Sequence, residues 1–272
     1  MSEQFPENLG HRYTLLETLG QGSSGIVYKA YDQQSNRYVA LKTVAKDKGE
    51  ALEHRRRFFR GAQLAAGLKH RHIIPVYDFG EEKSQLYIVT ELLQGRDLKQ
   101  VIQEGAQESL SQKLEWMIQL CDALGFAHEA GIIHRDIKPS NLFIRADGNL
   151  VVTDFEIARG ESTDITKAGT IIGTPEYFSP EQIMMIRLDP RSDIFSVGLV
   201  FYELLTGTHP FRTKAFPSTL HKILNENPMP PRDLNPEISQ TLSNLILRTL
   251  EKDINRRFES CRQLKAALMD SM

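Results

Sequence analysis

The segment IIHRDIKPSN, residues 132–141, decides how this chain is interpreted. It carries Asp136, Lys138 and Asn141 in one short polar loop. An aspartate can accept a proton from an attacking hydroxyl group, a nearby lysine can neutralise an anionic reacting group, and an asparagine can hold a metal ion through its amide oxygen. Three such side chains at this spacing predict a catalytic loop.

A further acidic position follows in VVTDFEIARG, residues 151–160, where Asp154 lies thirteen positions after Asn141. Mg²⁺ prefers oxygen ligands such as carboxylates, so we expect Asp154 to be a metal ligand together with Asn141. The sequence between them contains two short strand-like runs around Asp147-Gly148, which is a strong hairpin turn signal. The loop, the hairpin and Asp154-Phe155 form a combination too specific for a chance polar loop.

Glycines near the start of the chain predict a loop that a phosphate group can approach closely. The stretch LGQGSSGIV contains Gly20, Gly22 and Gly25 and runs into β-branched and aromatic residues. A strand therefore follows, whereas a dinucleotide-binding loop needs a helix at this point. Lys42, in VALK on the next predicted strand, is placed to pair with nucleotide phosphates. Taken alone, these features also fit a flexible hairpin and a solvated surface lysine.

The two halves of the chain differ in their hydrophobic periodicity. Residues 11–90 consist of short strand-like runs with turn signals between them, interrupted by one helical segment at residues 51–70. Beyond about residue 93 the pattern becomes helical, as in the apolar face formed by Leu114, Met117, Ile118, Cys121 and Leu124. We expect a small sheet-rich part, a linker near residues 92–95 and a larger helical part, with a ligand in the cleft between them.

The composition excludes several classes of protein. The chain has 272 residues, a formal net charge of −2 and two cysteines. That charge favours neither nucleic acid nor an anionic membrane, and two cysteines indicate reduced thiols rather than a disulfide framework. No apolar run is long enough to span a membrane, and the N-terminus lacks a secretory signal. We therefore expect a cytoplasmic protein without a membrane segment or a nucleic acid partner.

Taken together, these motifs resemble the catalytic domain of eukaryotic-like Ser/Thr protein kinases of the bacterial type. The resemblance runs from about His11 to the end and includes GTPEYFSPE (173–181) and SDIFSVG (192–198). It implies an α+β, bilobal protein-kinase fold. Residues 1–10 would be an N-terminal extension, 11–92 a small β-rich N-lobe with one main helix, and 93–272 a large helical C-lobe, making one kinase domain overall.

The resemblance also implies a role for individual residues, with ATP and Mg²⁺ or Mn²⁺ as cofactors. Asp136, Lys138 and Lys42 would be catalytic, and Asn141 and Asp154 would bind the metal. Glu181 and Arg257 would form a buried ion pair, and Asp193 would brace the His-Arg-Asp backbone. The nucleotide would contact Leu19, Gly20, Gly22, Gly25, Val27, Ala40, Lys42, Thr90, Glu91, Leu93, Asp97 and Leu142.

Smaller features indicate the substrate class and the regulation. Lys138 and Thr174 resemble the serine/threonine pattern, so the substrates would be proteins phosphorylated on Ser or Thr hydroxyls. Arg135, directly before Asp136, resembles kinases that are switched on by a phosphate in the activation loop. Thr166 and Thr170 would be the autophosphorylation sites, although the same segment also fits a merely mobile polar loop. The resemblance leaves a homodimer open.

Two positions depart from the family pattern. The family has a glutamate on the N-lobe helix that pairs with the strand lysine, but this chain has Gly61 there. The family also has a glycine after Asp-Phe, where this chain has Glu156. We hypothesise an exchange in which Glu156, counted among the catalytic residues, replaces the missing helix glutamate as the partner of Lys42.

Three classes of function remain open at this point. An active protein kinase is favoured because Lys42, Asp136, Lys138, Asn141 and Asp154 are all present. A pseudokinase that acts as a nucleotide-binding scaffold would explain the two departures as losses. A phosphotransferase acting on a small molecule would share the ATP site, but the intact GTPEYFSPE segment, typical of peptide docking in the family, argues against it.

Overall fold

The computed structural model describes residues 8–9, 11–22, 25–44, 51–155 and 175–271. Within these ranges the strands are β1 (Asn8–Leu9), β2 (Tyr13–Gly22), β3 (Gly25–Asp32), β4 (Arg37–Val44), β5 (Val76–Glu82), β6 (Gln85–Glu91), β7 (Gly95–Asp97), β8 (Leu142–Arg145) and β9 (Leu150–Val152). The α-helices are α1 (Ala51–Gly67), α2 (Leu98–Gln103), α3 (Leu110–Glu129), α4 (Pro180–Ile183), α5 (Pro190–Thr206), α6 (Phe216–Asn225), α7 (Pro231–Leu234), α8 (Gln240–Thr249) and α9 (Cys261–Asp270).

The chain divides into two compact units. The first contains the described residues up to Lys69 together with Ile74–Gln94, and the second contains His70–Ile73 and the described residues from Gly95 onward. Leu93 and Gln94 therefore belong to the first unit. The assignment of 11–92 and 93–272 as functional lobes stays a prediction.

The first unit is built on an antiparallel sheet with the strand order β1-β2-β3-β4-β6-β5. The sheet starts at Asn8, three residues before the predicted start of the lobe at His11, because β1 pairs with β2 and Leu9 is buried in the core. One face of the sheet forms an apolar cluster that includes Tyr13, Tyr28, Val39, Leu41 and Val89.

Helix α1 covers other residues of this sheet with a narrow apolar stripe. Phe58 and Ala62, four positions apart on the helix, pack with Leu86 and Ile88 of β6. The helix was predicted to run to residue 70, but it ends at Gly67. Glycine costs about 1 kcal/mol relative to alanine inside a helix, which favours an end at this position.

The second unit is centred on α3 and α5. The five apolar residues that predicted a buried face on α3 are all buried. Helix α5 is buried along its length, from Ser192 to Leu205. It begins after the N-cap Asp189 and ends at Thr206, followed by the C-cap Gly207, whose φ of 70° suits glycine. A Cβ atom added at Gly198 would lie 2.0 Å from the Thr249 hydroxyl oxygen, so α5 and α8 pack at very short distance here.

A small sheet in the second unit has the strand order β7-β8-β9. Strands β8 and β9 form the hairpin that the sequence predicted, and Leu142 pairs with Val152 at its open end. The Gly148 φ of 85° explains the glycine in the turn. On the other side of β8, Asp97 pairs with Phe143.

Each helix in the described part of the chain is either too short or too polar to cross a bilayer.

Candidate active site

The catalytic loop brings together the three residues that the sequence singled out. The Lys138 ammonium group donates to Asp136 Oδ2 at 2.7 Å, and the Asn141 amide nitrogen donates to the same oxygen at 3.0 Å. The Asn141 amide nitrogen also donates to the Asp136 carbonyl at 2.8 Å. Each of the charged side chains, Asp136 and Lys138, keeps 17% of its surface exposed. The loop therefore holds a carboxylate in a fixed position that solvent, and hence a substrate, can still reach.

Asp193 of α5 accepts hydrogen bonds from the backbone of this loop. Asp193 Oδ2 accepts the His134 amide N–H at 2.8 Å, and Oδ1 accepts the Arg135 amide N–H at 2.9 Å. The His128 imidazole, on α3, lies 2.7 Å from Oδ2. Burial alone would raise the pKa of the Asp193 carboxyl, but the hydrogen bond from His128 and the neighbouring donors outweigh it and lower the pKa. Asp193 thus remains an anionic acceptor, and its predicted bracing role is confirmed.

Arg135 lies between these two contacts in an unusual backbone conformation. Its φ is 68°, in the left-handed region that non-glycine residues rarely adopt. Its N–H is bound to Asp193, and its carbonyl accepts the Gln182 side-chain amide at 2.6 Å. Gln182 is itself fixed in a capping box with Ser179 at the start of α4. Helices α4 and α5 therefore hold this peptide unit from both sides.

The predicted metal ligands are connected through the backbone. Both the N–H and the hydroxyl of Thr153 donate to the Asn141 carbonyl, at 2.9 and 3.1 Å. Asp154 follows directly, with a φ of 55°. The Asn141 amide nitrogen is directed to Asp136, so its amide oxygen is the end that can bind a cation. Mg²⁺ prefers oxygen ligands, and the Asn141 amide oxygen and the Asp154 carboxylate are ligands of this kind.

Phe155 is anchored on the same loop. Its ring centroid lies 4.6 Å from that of the His134 imidazole, and the side chain is 6% exposed. The other edge of His134, at Nε2, lies 3.0 Å from the Thr153 carbonyl. The histidine therefore connects the catalytic loop to the residues on both sides of Asp154.

In the first unit, the glycine-rich stretch forms the hairpin that the sequence predicted. Gly20 pairs with Val27, and Gly22 pairs with Gly25 across the turn. Gly25 has a φ of 139°, and a Cβ atom there would lie 1.7 Å from the Thr43 carbonyl oxygen. A side chain at Gly25 is therefore excluded. By contrast, no atom of the described residues lies within 4 Å of a Cβ position at Gly20 or Gly22, so within that part of the chain their backbone is approachable.

The strand lysine shares one sheet face with several predicted nucleotide contacts. Lys42 pairs with Val27 on one side and Ile88 on the other, and Ala40 pairs with Thr90. Paired residues point to the same face of an antiparallel sheet. Because Ile88 packs against α1, Lys42 lies on the side of the sheet that faces this helix.

The remaining predicted nucleotide contacts have varied surroundings. Leu19 is 50% exposed and Leu142 is fully buried. The Thr90 hydroxyl donates to the Glu91 carbonyl at 3.4 Å, and Leu93 follows two residues later in partly buried chain. Asp97 has a structural role that the sequence did not reveal, because it caps α2 by accepting the Gln100 N–H at 2.8 Å.

A buried ion pair fixes the end of the GTPEYFSPE segment. Arg257 donates to both Glu181 oxygens, at 2.7 and 3.1 Å, and the two side chains are 0% and 4% exposed. The guanidinium also donates to the carbonyls of Glu251, Arg191 and Lys252. Such a bidentate, fully bonded arrangement is what makes a buried charge tolerable. The predicted Glu181–Arg257 pair is confirmed.

Of the two departures from the family pattern, Gly61 lies within the described residues and Glu156 does not. Gly61 lies inside α1, one residue before Ala62 and three after Phe58, on the stripe that packs against β6. Glu53 is the sole acidic residue of α1; its side chain is 56% exposed and lies 3.8 Å from Arg57. Glu156, Thr166, Thr170 and Thr174 lie outside the described residues.

Two supporting residues escaped the sequence analysis. His128 and Gln182 hold the catalytic loop through partners 65 and 47 positions away in the chain. Their local sequences signalled only a helical face and a helix start. Pairings over such distances depend on the packing of whole helices, which local patterns do not determine.

Comparison with known proteins identifies the family. The family model described as protein kinase domain matches residues 13–269. This chain belongs to the protein kinase domain family. The kinase domain resembles the solved kinase domain of Mycobacterium tuberculosis PknI, with a TM-score of 0.77, 27% identity and 96% of each chain covered. It therefore has the α+β protein-kinase fold, with a β-rich N-lobe and a helical C-lobe.

Two curated bacterial proteins are similar to this kinase domain. It is 37% identical over 258 residues to a probable serine/threonine-protein kinase of Clostridium acetobutylicum, covering 94% of this chain and 39% of the relative. It is also 37% identical over 270 residues to serine/threonine-protein kinase PknB of Mycobacterium leprae, covering 97% of this chain and 43% of PknB. The chain thus spans about two fifths of the length of these relatives.

Proposed function

We propose that this chain is an ATP-dependent Ser/Thr protein kinase that transfers the γ-phosphoryl group to protein hydroxyls. The observation that carries the proposal is the bonded arrangement of Asp136, Lys138 and Asn141. Family membership and the serine/threonine-protein kinase names of the relatives support it.

The residues of the catalytic loop have distinct tasks in this proposal. Asp136 accepts the proton of the attacking hydroxyl group; both side-chain donors bind its Oδ2, so Oδ1 is the oxygen that receives this proton. Lys138, held next to that carboxylate, is placed to neutralise charge on the transferred group. Asn141 and Asp154 would hold Mg²⁺ or Mn²⁺. When bound, the cation neutralises negative charge on the phosphates.

The first unit would hold the nucleotide. The open backbone of Gly20 and Gly22 approaches the phosphates, and Lys42 pairs with them. Val27, Ala40 and Thr90 share the sheet face of Lys42, so they would contact the base. The remaining nucleotide contacts, including Leu19, Glu91, Leu93, Asp97 and Leu142, are proposed from the family pattern.

A comparison of two aspartate variants tests the activity. The chain is incubated with labelled ATP, Mg²⁺ or Mn²⁺ and a mixed protein substrate, and incorporated phosphate is counted. Asp136→Asn should lower the rate by a factor of about 10²–10⁴, the usual contribution of a general base. Asp270→Asn, at an exposed aspartate of α9, should leave the rate unchanged. Equal labelling by the native chain and Asp136→Asn would contradict the proposal and favour a scaffold role.

Regulation by autophosphorylation is the next part of the proposal. Thr166 and Thr170 lie between Asp154 and Glu181, and Arg135 precedes the catalytic aspartate. A phosphate on either threonine would be the natural partner of an arginine. Mass spectrometry after incubation with ATP should find phosphate on one of these residues in the native chain but not in Asp136→Asn. Phosphate confined to other residues would contradict this assignment.

We further propose that Glu156 replaces the missing helix glutamate as the partner of Lys42. Gly61 lies on the stripe of α1 that faces the sheet side of Lys42, so the usual position carries no carboxylate. Glu53 cannot substitute, because it is eight residues earlier, about 12 Å along a helix. It is also exposed and close to Arg57. Glu156 lies two positions after Asp154, the proposed metal ligand, and is the carboxylate residue closest to it in the sequence.

A reciprocal exchange tests this pair. Glu156→Ala should lower kcat/KM by at least about tenfold, equal to 1.4 kcal/mol, while Glu53→Ala should leave it unchanged. The double change Gly61→Glu with Glu156→Gly should recover most of the activity that each single change loses. Full activity in Glu156→Ala would rule out the exchange without affecting the kinase proposal.

The two cysteines support a cytoplasmic location, which we also propose. Cys121 and Cys261 are both unpaired and buried, and burial raises the pKa of the Cys121 thiol to about 12. Buried, protonated thiols are inert and fit a reducing cytoplasm. A homodimer stays an open proposal, which sedimentation of the purified chain would decide.

A further inference from the structure

The peptide unit between Arg135 and Asp136 is bonded at both of its polar groups. Its carbonyl, on Arg135, accepts the Gln182 side-chain amide at 2.6 Å. Its N–H, on Asp136, donates to His134 Nδ1 at 3.3 Å. In a trans peptide the C=O and N–H groups point in opposite directions, so a rotation of this unit would break both bonds. The two contacts together fix the backbone from which the Asp136 side chain extends.

Backbone strain at Arg135 makes these bonds necessary. Its φ of 68° is in the left-handed region, which costs free energy for a residue with a side chain. Asp193 binds the N–H of Arg135, but that N–H belongs to the preceding peptide unit. A strained residue persists only where its surroundings hold it in place. Without the Gln182 donor, we therefore expect the strain to relax by rotation of the peptide unit that leads to the catalytic aspartate.

The Gln182 amide has one orientation that fits its surroundings. Its Oε1 accepts the Ser179 N–H at 3.0 Å, and the Ser179 hydroxyl oxygen accepts the Gln182 N–H at 3.4 Å. A flipped amide would place its NH₂ group against the Ser179 N–H and its oxygen against the Arg135 carbonyl. Because the side chain is also buried, its donor is preorganised towards the catalytic loop.

The helix that carries Gln182 is anchored at several buried points. Helix α4 has four residues, so its position depends on its neighbours rather than on its own stability. Glu181 forms the buried ion pair with Arg257, and Ser196 of α5 donates to the Tyr177 carbonyl at 2.8 Å. A group held by such a supporting framework can keep a reactive side chain in position.

We propose that Gln182 is a positioning residue for phosphoryl transfer, because its amide holds the Arg135–Asp136 peptide where the Asp136 carboxylate meets the attacking hydroxyl group. This inference rests on the proposed kinase activity and adds a residue outside the catalytic loop to it. Lys138 and Asn141 bind the carboxylate itself, but both lie on the same loop and move with it. A misplacement of about 1 Å can lower a reaction rate by a factor of about 10².

Two variants separate this positioning role from the capping of α4. At pH 8, Gln182→Glu keeps an oxygen that accepts the Ser179 N–H but offers no donor to the Arg135 carbonyl. Gln182→Met removes both bonds. Positioning requires kcat to fall by about ten- to a hundredfold in both variants. The KM for ATP should stay unchanged, because the contacts proposed for the nucleotide do not involve Gln182. A purely structural capping role would instead leave kcat unchanged in Gln182→Glu.

A glutamine at the start of α9 supplies the matched control. Gln263 donates its N–H to the N-cap Ser260 at 3.2 Å, and its Oε1 accepts the Glu259 N–H at 2.8 Å. Both bonds lie at the start of α9, so Gln263→Glu and Gln263→Met should leave kcat and KM unchanged. Urea denaturation gives the folded fraction of each variant, and each rate is divided by that fraction.

The outcomes distinguish this inference from the kinase proposal. Native kcat in Gln182→Glu, a raised KM for ATP with kcat unchanged, or an equal loss of kcat in Gln263→Glu would each overturn the positioning role. If Gln182→Met does not fold, Gln182→Glu alone decides. Equal labelling by the native chain and Asp136→Asn would instead remove the kinase proposal itself.

Discussion

Helices α1 and α5 have the same length, 17 residues, but opposite characters. In α5 every residue from Ser192 to Leu205 is buried, including the charged Asp193 and Glu203. In α1 the buried side chains are those of Phe58, Ala62 and Ala65 alone, among the residues whose burial is described. Helix α5 is thus buried inside the second unit, whereas α1 covers its sheet with a single apolar stripe.

The difference shows where the fold concentrates its polar bonds. Asp193 of α5 binds two backbone amides of the catalytic loop, and Ser196 donates to the Tyr177 carbonyl at 2.8 Å. Helix α1 instead has a glycine on its packing stripe and its sole acid on the exposed side. The described polar bonds thus connect the catalytic loop to α5, whereas α1 contacts its sheet through the apolar stripe and the partly exposed Arg55–Glu81 pair.

The largest expected effect comes from the ion pair beside α5. Glu181→Ala leaves Arg257 fully buried without its counter-ion. We expect the free energy of unfolding to fall by about 3–5 kcal/mol, the usual cost of breaking a buried pair from one side. Urea denaturation measures it.

The matched control for this pair is Arg262→Ala. That arginine pairs with Glu129 at 2.6 Å, but the side chains are 71% and 50% exposed. Its loss should cost less than about 1 kcal/mol. Equal effects of the two variants would show that burial around α5 does not set the strength of these pairs.

Asp193→Asn should have the next largest effect. Asparagine keeps the shape but replaces one acceptor oxygen with a donor, so one of the amide bonds to His134 and Arg135 is lost. The free energy of unfolding should fall by about 1.5–3 kcal/mol near neutral pH. The folded-state pKa of Asp193 is lowered, so this gap should narrow as the pH falls below the ordinary value of about 3.9. A pH-independent gap, or an equal loss in the exposed Asp233→Asn, would contradict the role of its charge.

His209, two residues after Gly207, the C-cap of α5, gives a smaller and pH-dependent effect. Its Nδ1 accepts the Phe211 N–H at 3.2 Å, and its Nε2 donates to the Glu176 carbonyl at 3.0 Å, so the ring is neutral. Burial, reinforced by the charge of Arg212, lowers the pKa of His209 to about 3. The unfolded chain, with a pKa of about 6.5, takes up a proton that the native chain does not.

Stability should therefore fall as the pH decreases from 7 towards 3. The contribution of His209 reaches about 2 kcal/mol by pH 5. In His209→Gln the difference in unfolding free energy between pH 7 and pH 5 should shrink by about that amount. The same pH dependence in the native chain and the variant would show that this histidine is not held neutral.

The smallest effect is expected in α1. Gly61→Ala should raise the free energy of unfolding by up to about 1 kcal/mol, because glycine is the poorer helix former. Gln63→Gly, at an exposed position of the same helix, should lower it by a similar amount. A loss of stability in Gly61→Ala would show that the helix packs too closely there for a methyl group. The contrast between the two helices would then be weaker than proposed.

The sequence predicted most of what is local in this structure. The β8–β9 hairpin followed from Asp147-Gly148, and the buried face of α3 followed from its apolar spacing. Asp136, Lys138 and Asn141 lie within six residues, so the motif alone placed them in one loop, but the hydrogen bonds among them emerged only from the structure. The Glu181–Arg257 pair and the role of Asp193 were accessible only through resemblance to a family.

What the sequence missed depends on competition between local and distant bonds. Asp97 was assigned to a ligand, yet it also caps α2, because an aspartate before a helix finds a backbone N–H more easily than any distant group. The start of the sheet at β1 depends on pairing with β2, and two residues carry no periodic signal.

The left-handed conformation of Arg135 has an energetic consequence for the catalytic loop. A residue other than glycine there costs roughly 1–2 kcal/mol, which glycine would not incur. Bonds from Asp193 and Gln182 hold the strained peptide in place. Glycine would avoid that cost, so the backbone conformation alone favours glycine at this position and gains nothing from the arginine side chain.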